Sequence, residues 1–172
     1  ANFHGHIEIG NELNVTTYGD GSFALYAAHG SDSNAVKATD GSTITTGDDA
    51  KLLTKGNNAH VVVVGSDNGK VVIGNNAELN SEGNGSHAVV TYNTGTGKGT
   101  AKAAQVTIKK DAKITTEGLG AYAVYANSTD SRIFLDERAV IKTMGDGSHG
   151  LRAAKGKSEI GDGLDLTTSG AG

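Results

Sequence analysis

Three histidines, His60, His87 and His149, each stand four residues after a glycine, at Gly56, Gly83 and Gly145. Imidazoles at one repeated position can line up as ligands for a metal ion, or as groups that titrate near neutral pH. Phe23 and Tyr122 hold the same position after Gly19 and Gly118, so the column asks for a flat ring, and a partly exposed ring stack meets that need without a ligand. His4 and His6 could also chelate, but no third ligand is identifiable. Acid and base catalysis on a glycosidic bond needs two carboxylates at a fixed separation. Asp48, Asp49, Asp111, Asp136, Glu137 and Asp162 fall in bends and alternate there with Asn, Lys and Arg, so no constant pair emerges. The run from Gly95 to Thr100 resembles a phosphate loop only superficially. Tyr92 stands where that motif has its first glycine, and Gly99 follows Lys98 where Ser or Thr belongs. No catalytic residue, metal site or cofactor is therefore assigned.

What positions these residues is a repeat. Gly19, Gly56, Gly83, Gly118, Gly145 and Gly170 recur at spacings of 37, 27, 35, 27 and 25 residues, a period that signals a solenoid. Four residues before each glycine stand Val15, Leu52, Leu79, Ile114, Ile141 and Leu166. Two before it stand Thr17, Thr54, Ser81, Thr116, Thr143 and Thr168, and six before it Leu13, Ala50, Ala77, Ala112, Ala139 and Leu164. Strand side chains alternate with period two, so these columns share one face. Further back come Ile7, Ile44, Val71, Val106 and Ile133, and two residues later Ile9, Thr46, Ile73, Ile108, Leu135 and Ile160. A polar bend separates the two sets, as in Gly10-Asn11-Glu12 or Gly74-Asn75-Asn76, where Gly and Asn tolerate positive φ. After the glycine a third strand carries Leu25, Val62, Val89, Val124 and Leu151, then Ala27, Val64, Thr91, Ala126 and Ala153.

Three short strands per unit, none able to bury its apolar face alone, predict an all-β right-handed parallel β-helix of about five to six coils. Unequal coils without a six-residue repeat favour the right-handed form. Residues 1–172 read as one β-helix segment, expected to be part of a longer protein. Gly contributes 26 residues with no Pro, Cys or Trp, which fits many tight turns and excludes collagen and a disulfide framework. A net charge of −4 gives no sign of nucleic-acid binding. Lys155 with Lys157, and Lys109 with Lys110, read as solvated surface. No stretch has the length of apolar residues that spans a membrane, and there is no signal-peptide pattern.

Interaction candidates lie where the repeat is broken. Two coils carry insertions after their third strand, Ala28 to Thr43 and Asn93 to Gln105, while others make do with a few residues. Loops held on a rigid scaffold are where binding usually sits. The candidates there are His29, Asp32, Lys37, Asp40, Tyr92, Lys98 and Lys102. Seven residues after the glycine a mixed column holds Tyr26, Val63, Val90, Tyr125 and Arg152. It should face outward, where it would either offer Tyr26, Tyr125 and Arg152 to a partner or lie covered by a longer side loop.

The units VTTYGDGSFALYA, ITTEGLGAYAVYA and IKTMGDGSHGLRA resemble the passenger repeats of pertactin-like bacterial autotransporters over nearly the whole chain. That resemblance implies a right-handed β-helix passenger, exported through a C-terminal outer-membrane barrel that is not in this chain. It further implies a bacterial cell-surface or secreted location, in a family that includes adhesins, receptor-binding virulence factors and passengers with protease domains; with no GxSxG nucleophile motif in the chain, the reading is a non-catalytic adhesin or virulence factor. The partner would be a host cell-surface receptor or an extracellular-matrix protein, and the segment is expected to be a monomer. The motif is a scaffold motif, so two alternatives stand beside it: a carbohydrate-active β-helix of polysaccharide lyase or hydrolase type, and a purely structural stalk.

Overall fold

The structure, a computed structural model, describes residues 5–27, 41–65, 67–92 and 103–171. Each coil is built from three strands of three or four residues. The first holds β1 (His6–Ile9), β2 (Asn14–Thr17) and β3 (Leu25–Ala27), and the second β4 (Thr43–Thr46), β5 (Lys51–Thr54) and β6 (Val62–Val64). The third holds β7 (Lys70–Ile73), β8 (Glu78–Ser81) and β9 (Val89–Tyr92), and the fourth β10 (Gln105–Ile108), β11 (Lys113–Thr116) and β12 (Val124–Asn127). The fifth holds β13 (Arg132–Leu135), β14 (Val140–Thr143) and β15 (Leu151–Ala153), and β16 (Lys157–Ile160) with β17 (Asp165–Thr168) begin a sixth. Like strands of successive coils pair in parallel, giving a first sheet β1-β4-β7-β10-β13-β16, a second β2-β5-β8-β11-β14-β17 and a third β3-β6-β9-β12-β15. This is the parallel β-helix that the repeats predict.

Register follows the apolar columns. Ile7 pairs with Ile44, Ile44 with Val71, Val71 with Val106 and Val106 with Ile133. In the second sheet Val15, Leu52, Leu79, Ile114, Ile141 and Leu166 form an unbroken row. A one-residue slip in any strand would turn its apolar set to solvent, so burial locks the register. Leu79, Ile114, Ile133 and Ile141 are fully buried. Each such side chain contributes about 1.5–3 kcal/mol, enough for a core with almost no aromatics. The same columns are open at the two ends of the rod, where Ile7 is 54% and Leu166 40% exposed.

The corners divide their work differently from the sequence-based expectation. In the first bend the left-handed backbone falls on the third residue, Glu12, Asp49, Asn76, Asp111, Arg138 or Gly163, with φ of 57° to 76°. Only the last of these is a glycine. The opening glycines of the bend serve close approach instead, since a Cβ on Gly74 would run into the carbonyl of Gly47. The same holds for the column that defines the repeat. A Cβ on Gly56, Gly83, Gly118, Gly145 or Gly170 would collide with the backbone carbonyl of the preceding glycine in that column.

Side chains also link one coil to the next. Asp20, Asn57, Asn84 and Asp146 each accept, through Oδ1, the backbone N–H of the residue at the same position one coil on: Asn57, Asn84, Leu119 and Ala171, at 2.8–3.0 Å. The hydroxyl column closes the corner from inside, with Thr54 Oγ1 donating to the Ala59 carbonyl at 2.7 Å and Ser81 Oγ to the Ser86 carbonyl at 2.6 Å. Buried Ser86 Oγ accepts from the Ala59 N–H and donates to the Gly56 carbonyl, both at 2.9 Å. Ser148 repeats this under Ala121 and Gly118, at 3.0 Å each.

The insertions are shorter than their expected bounds. Ser42 is buried, its carbonyl accepts from the Lys70 N–H, and Thr43 opens β4. Ala104 is likewise buried, and Gln105 opens β10. Thr43 and Gln105 are therefore parts of the scaffold.

Candidate interaction surface

The residues four after the repeat glycine form a ring stack along the rod. Phe23 lies on His60 with ring centroids 5.6 Å apart, His60 on His87 at 4.8 Å, His87 on Tyr122 at 4.8 Å and Tyr122 on His149 at 5.0 Å. The rings follow from the coil repeat, which sets neighbouring strands about 4.8 Å apart. Two of the imidazoles have a further duty: His60 Nδ1 accepts the backbone N–H of His87 at 2.9 Å, and His87 Nδ1 that of Tyr122 at 3.0 Å. An Nδ1 that accepts a hydrogen bond places the ring proton on Nε2 and holds the ring neutral. Burial pushes His60 down to about 4. Burial, followed by the charges of His60 and Arg152, pushes His87 down to about 3. Among the described residues no group of three or more His, Cys, Asp or Glu is placed to hold a metal ion. His60 and His87 therefore serve within the stack as neutral rings that cap backbone N–H groups.

The column three residues further on is only partly the outward strip that its spacing predicts. Val63 and Val90 are buried in the middle of the third sheet, which corrects that expectation for its centre. The ends reach solvent. Tyr26 is 40% exposed and stacks on Phe23 at 4.9 Å. Tyr125 sets its ring edge-on against His87 at 5.3 Å and Tyr122 at 5.1 Å. Exposed Arg152, one coil on and in register with Tyr125, lays its guanidinium over both tyrosines, 5.0 Å from the Tyr122 centroid and 5.2 Å from that of Tyr125. Its Nη1 also donates to the Tyr122 hydroxyl at 2.6 Å. An arginine held this way keeps its remaining N–H groups facing water in a fixed plane, at little further entropic cost on binding.

Tyr125 and Arg152 are thus brought together, while Tyr26 sits three coils away at the Phe23 end of the stack. Tyr92 ends β9. His29, Asp32, Lys37, Asp40, Lys98 and Lys102 lie outside the described residues. Tyr122, whose hydroxyl and ring hold Arg152, was read only as a member of the ring column. It stands three residues before Tyr125 in the same coil, and that spacing was the available sign of its second role.

Acidic groups of the bends are engaged in holding coils together. Asp48 accepts from the Asn75 backbone and side-chain amides, which hold its carboxyl below the usual range. Arg138 meets Asp111 with two bonds of 2.7 Å, likewise lowering the Asp111 carboxyl, and Lys110 meets Glu137 at 2.9 Å. Searched against protein families, characterised proteins and solved structures, the chain finds no match. The fold itself defines the class: a parallel β-helix whose coils are tied by stacked polar and aromatic columns. No helix among the described residues is long and apolar enough to cross a membrane.

Proposed function

We propose that the chain is a non-catalytic binding segment of a surface-displayed or secreted bacterial passenger protein of the pertactin-like autotransporter kind. It engages a host cell-surface receptor or a matrix protein through side-chain groups carried outside the stacked columns. The observation that carries this reading is Arg152, exposed yet braced by Tyr122 and Tyr125. Arginine flanked by tyrosine is the composition of binding hot spots, and here the geometry is set before any partner arrives. The insertion residues His29, Asp32, Lys37, Asp40, Lys98 and Lys102, with Tyr92 and Tyr26, complete the proposed contact set. The non-catalytic part draws support from the carboxylates. Asp48, Asp111 and Glu159 are held below their ordinary range by Asn75, Arg138 and Lys157, which makes these three poor general acids.

Binding of the purified chain to cultured host cells and to immobilised matrix proteins tests this. Replacing residues 29–40 by a two-residue turn, and separately Arg152→Ala with Tyr125→Ala, should leave the β-type circular dichroism intact. Either change should weaken binding by about tenfold or more, the size of a lost hot spot. Binding that survives both changes on every surface tried refutes the proposal, and turnover of an acidic polysaccharide by the chain refutes its non-catalytic part.

A further inference from the structure

The outward columns of the first and second sheets treat charge in opposite ways. At the first position of the second-sheet strands, Lys51, Glu78 and Lys113 are neighbours in register. They alternate in sign, with Lys51 to Glu78 at 3.9 Å and Lys113 to Glu78 at 3.7 Å. At the first position of the first-sheet strands the order is His6, Thr43, Lys70, Gln105, Arg132 and Lys157. No acid stands anywhere in that row. Lys70 lies between Thr43 and Gln105, and Arg132 between Gln105 and Lys157, so two cations are direct register partners. Like charges opposite one another on a sheet are destabilising. A sequence that neutralises one column and leaves the other basic is departing from its own rule, and such departures mark functional surface.

The basic row is exposed and continues round a corner. Lys70, Arg132 and Lys157 all face solvent, as does Lys155 in the short turn from β15 to β16. That turn is fixed by the Ala126 carbonyl, which accepts from the Lys155 and Gly156 amides at 3.4 and 3.3 Å, and by the Ser131 carbonyl, which accepts from the Lys157 amide at 2.8 Å. Among the described residues Lys70, Arg132 and Lys155 make no ion pair. Glu159, on the same face, meets Lys157 at 2.7 Å and feels the Arg132 charge as well. Asp130, exposed in the turn between β12 and β13, forms no ion pair with Lys155 or Arg132. Beside the row, two residues along each strand, run half-buried Val72, Thr107 and Phe134. The result is a face with positive groups repeating along the rod axis every one or two strands, about 5 to 10 Å apart, next to a row that is apolar or hydroxylic from Thr45 to Phe134 and ends in Glu8 and Glu159.

We infer that this face binds a linear acidic polysaccharide laid along the rod. The cations at Lys70, Arg132, Lys155 and Lys157 would meet its sulfate or carboxylate groups, and Val72, Thr107 and Phe134 would lie against the sugar rings. The chain as a whole is acidic, at −4, so the row acts as a local feature and not through net charge. The site lies on a different sheet from Arg152 and Tyr125, and its test is independent of theirs.

The probe is a heparin octasaccharide, titrated into the full chain by calorimetry at low and high salt. Binding is expected at low ionic strength. It should fade as the screening length falls from about 10 Å at 0.1 M salt to about 3 Å at 1 M. Arg132→Gln with Lys155→Gln and Lys157→Gln should bind about tenfold more weakly while keeping the β-type circular dichroism of the parent. Lys51→Gln with Lys55→Gln and Lys113→Gln makes the same change in net charge on the second sheet and should leave binding unchanged. The inference is overturned if the parent does not bind, if the two triple variants bind equally, or if duplex DNA competes as well as the octasaccharide does.

Discussion

Acid should loosen this solenoid well before its carboxylates titrate, and His60 and His87 are the reason. Both imidazoles are held neutral, pushed down to about 4 and about 3 from an ordinary value of 6.5. Each Nδ1 already accepts a backbone N–H, so a proton there would replace the acceptor by a donor aimed at a donor. In the unfolded chain the same rings protonate near 6.5. Below that pH the unfolded state therefore binds more protons than the folded one, and stability falls as pH falls. The loss begins near pH 6.5 and continues until the folded values, about 4 and 3, are reached. At pH 5 each histidine costs about 2 kcal/mol, from roughly 1.5 pH units at 1.36 kcal/mol each, and the pair about 4 kcal/mol. That is a large part of the 5–15 kcal/mol by which domains are ordinarily stable.

Urea unfolding followed by circular dichroism at pH 7 and pH 5 measures the drop directly. The depressed carboxylates, Asp48, Asp111 and Glu159, also lose stabilisation in acid, but only as pH falls below their unfolded values of 3.8 to 4.5, so the window from 6.5 to 5 belongs to the histidines. Replacing both rings, His60→Phe with His87→Phe, keeps the stack and removes the acceptors for two backbone N–H groups. The variant should be less stable at pH 7, by about 1–3 kcal/mol per orphaned donor, and should lose little more between pH 7 and pH 5. A wild-type chain equally stable at both pH values would refute the reasoning, as would a double variant with the full wild-type slope. A ¹⁵N chemical-shift titration in which the His87 ring ionises above pH 6 would do the same.

Two further substitutions probe the scaffold. Gly118→Ala should cost more than about 3 kcal/mol, because the added methyl meets the Gly83 carbonyl and backbone has nowhere to yield within a coil spacing; thermal melting reads this, and a neutral result would mean the coils are not stacked as described. Ser86→Ala leaves the buried Ala59 N–H and Gly56 carbonyl without a partner and should lower the urea midpoint by an amount equivalent to about 1–3 kcal/mol, whereas Ala59→Ser, which adds a hydroxyl where the chain has none, should give no matching gain.

The scaffold was legible because a stacked solenoid repeats one environment in every coil, and a column of Leu79, Ile114 and Ile141 announces itself at fixed distances from a glycine. What the glycine does was harder to read. In the first bend the left-handed positions are held mostly by non-glycine residues such as Glu12, Asp49 and Arg138, and the repeat glycines are required by a neighbour one coil away that no local rule reveals. The outward column of Tyr26, Val63, Val90, Tyr125 and Arg152 was legible only as a direction. Direction along a strand does not report whether a position is covered, and Val63 and Val90 proved to be buried. The Arg152 site was half visible: the column gave Tyr125 and Arg152, but the third member, Tyr122, comes from a different column of the preceding coil.

A solenoid separates structural from functional information in a way that compact folds do not. Any side chain that serves the stack must match its neighbours above and below, so Lys51, Glu78 and Lys113 alternate, Asn57 and Asn84 repeat, and His60 and His87 repeat. Nothing in the stack asks for Arg132 beside Lys157, or for an arginine laid across two tyrosines at Arg152. The first sets two cations side by side with Glu159 as their shared counter-charge, and the second spends side-chain freedom at the surface. The first spans coils five and six and the second coils four and five, on adjoining sheets joined by the turn that carries Lys155. Outside the two insertions, these are the positions where the outward side chains depart most clearly from the pattern of their columns.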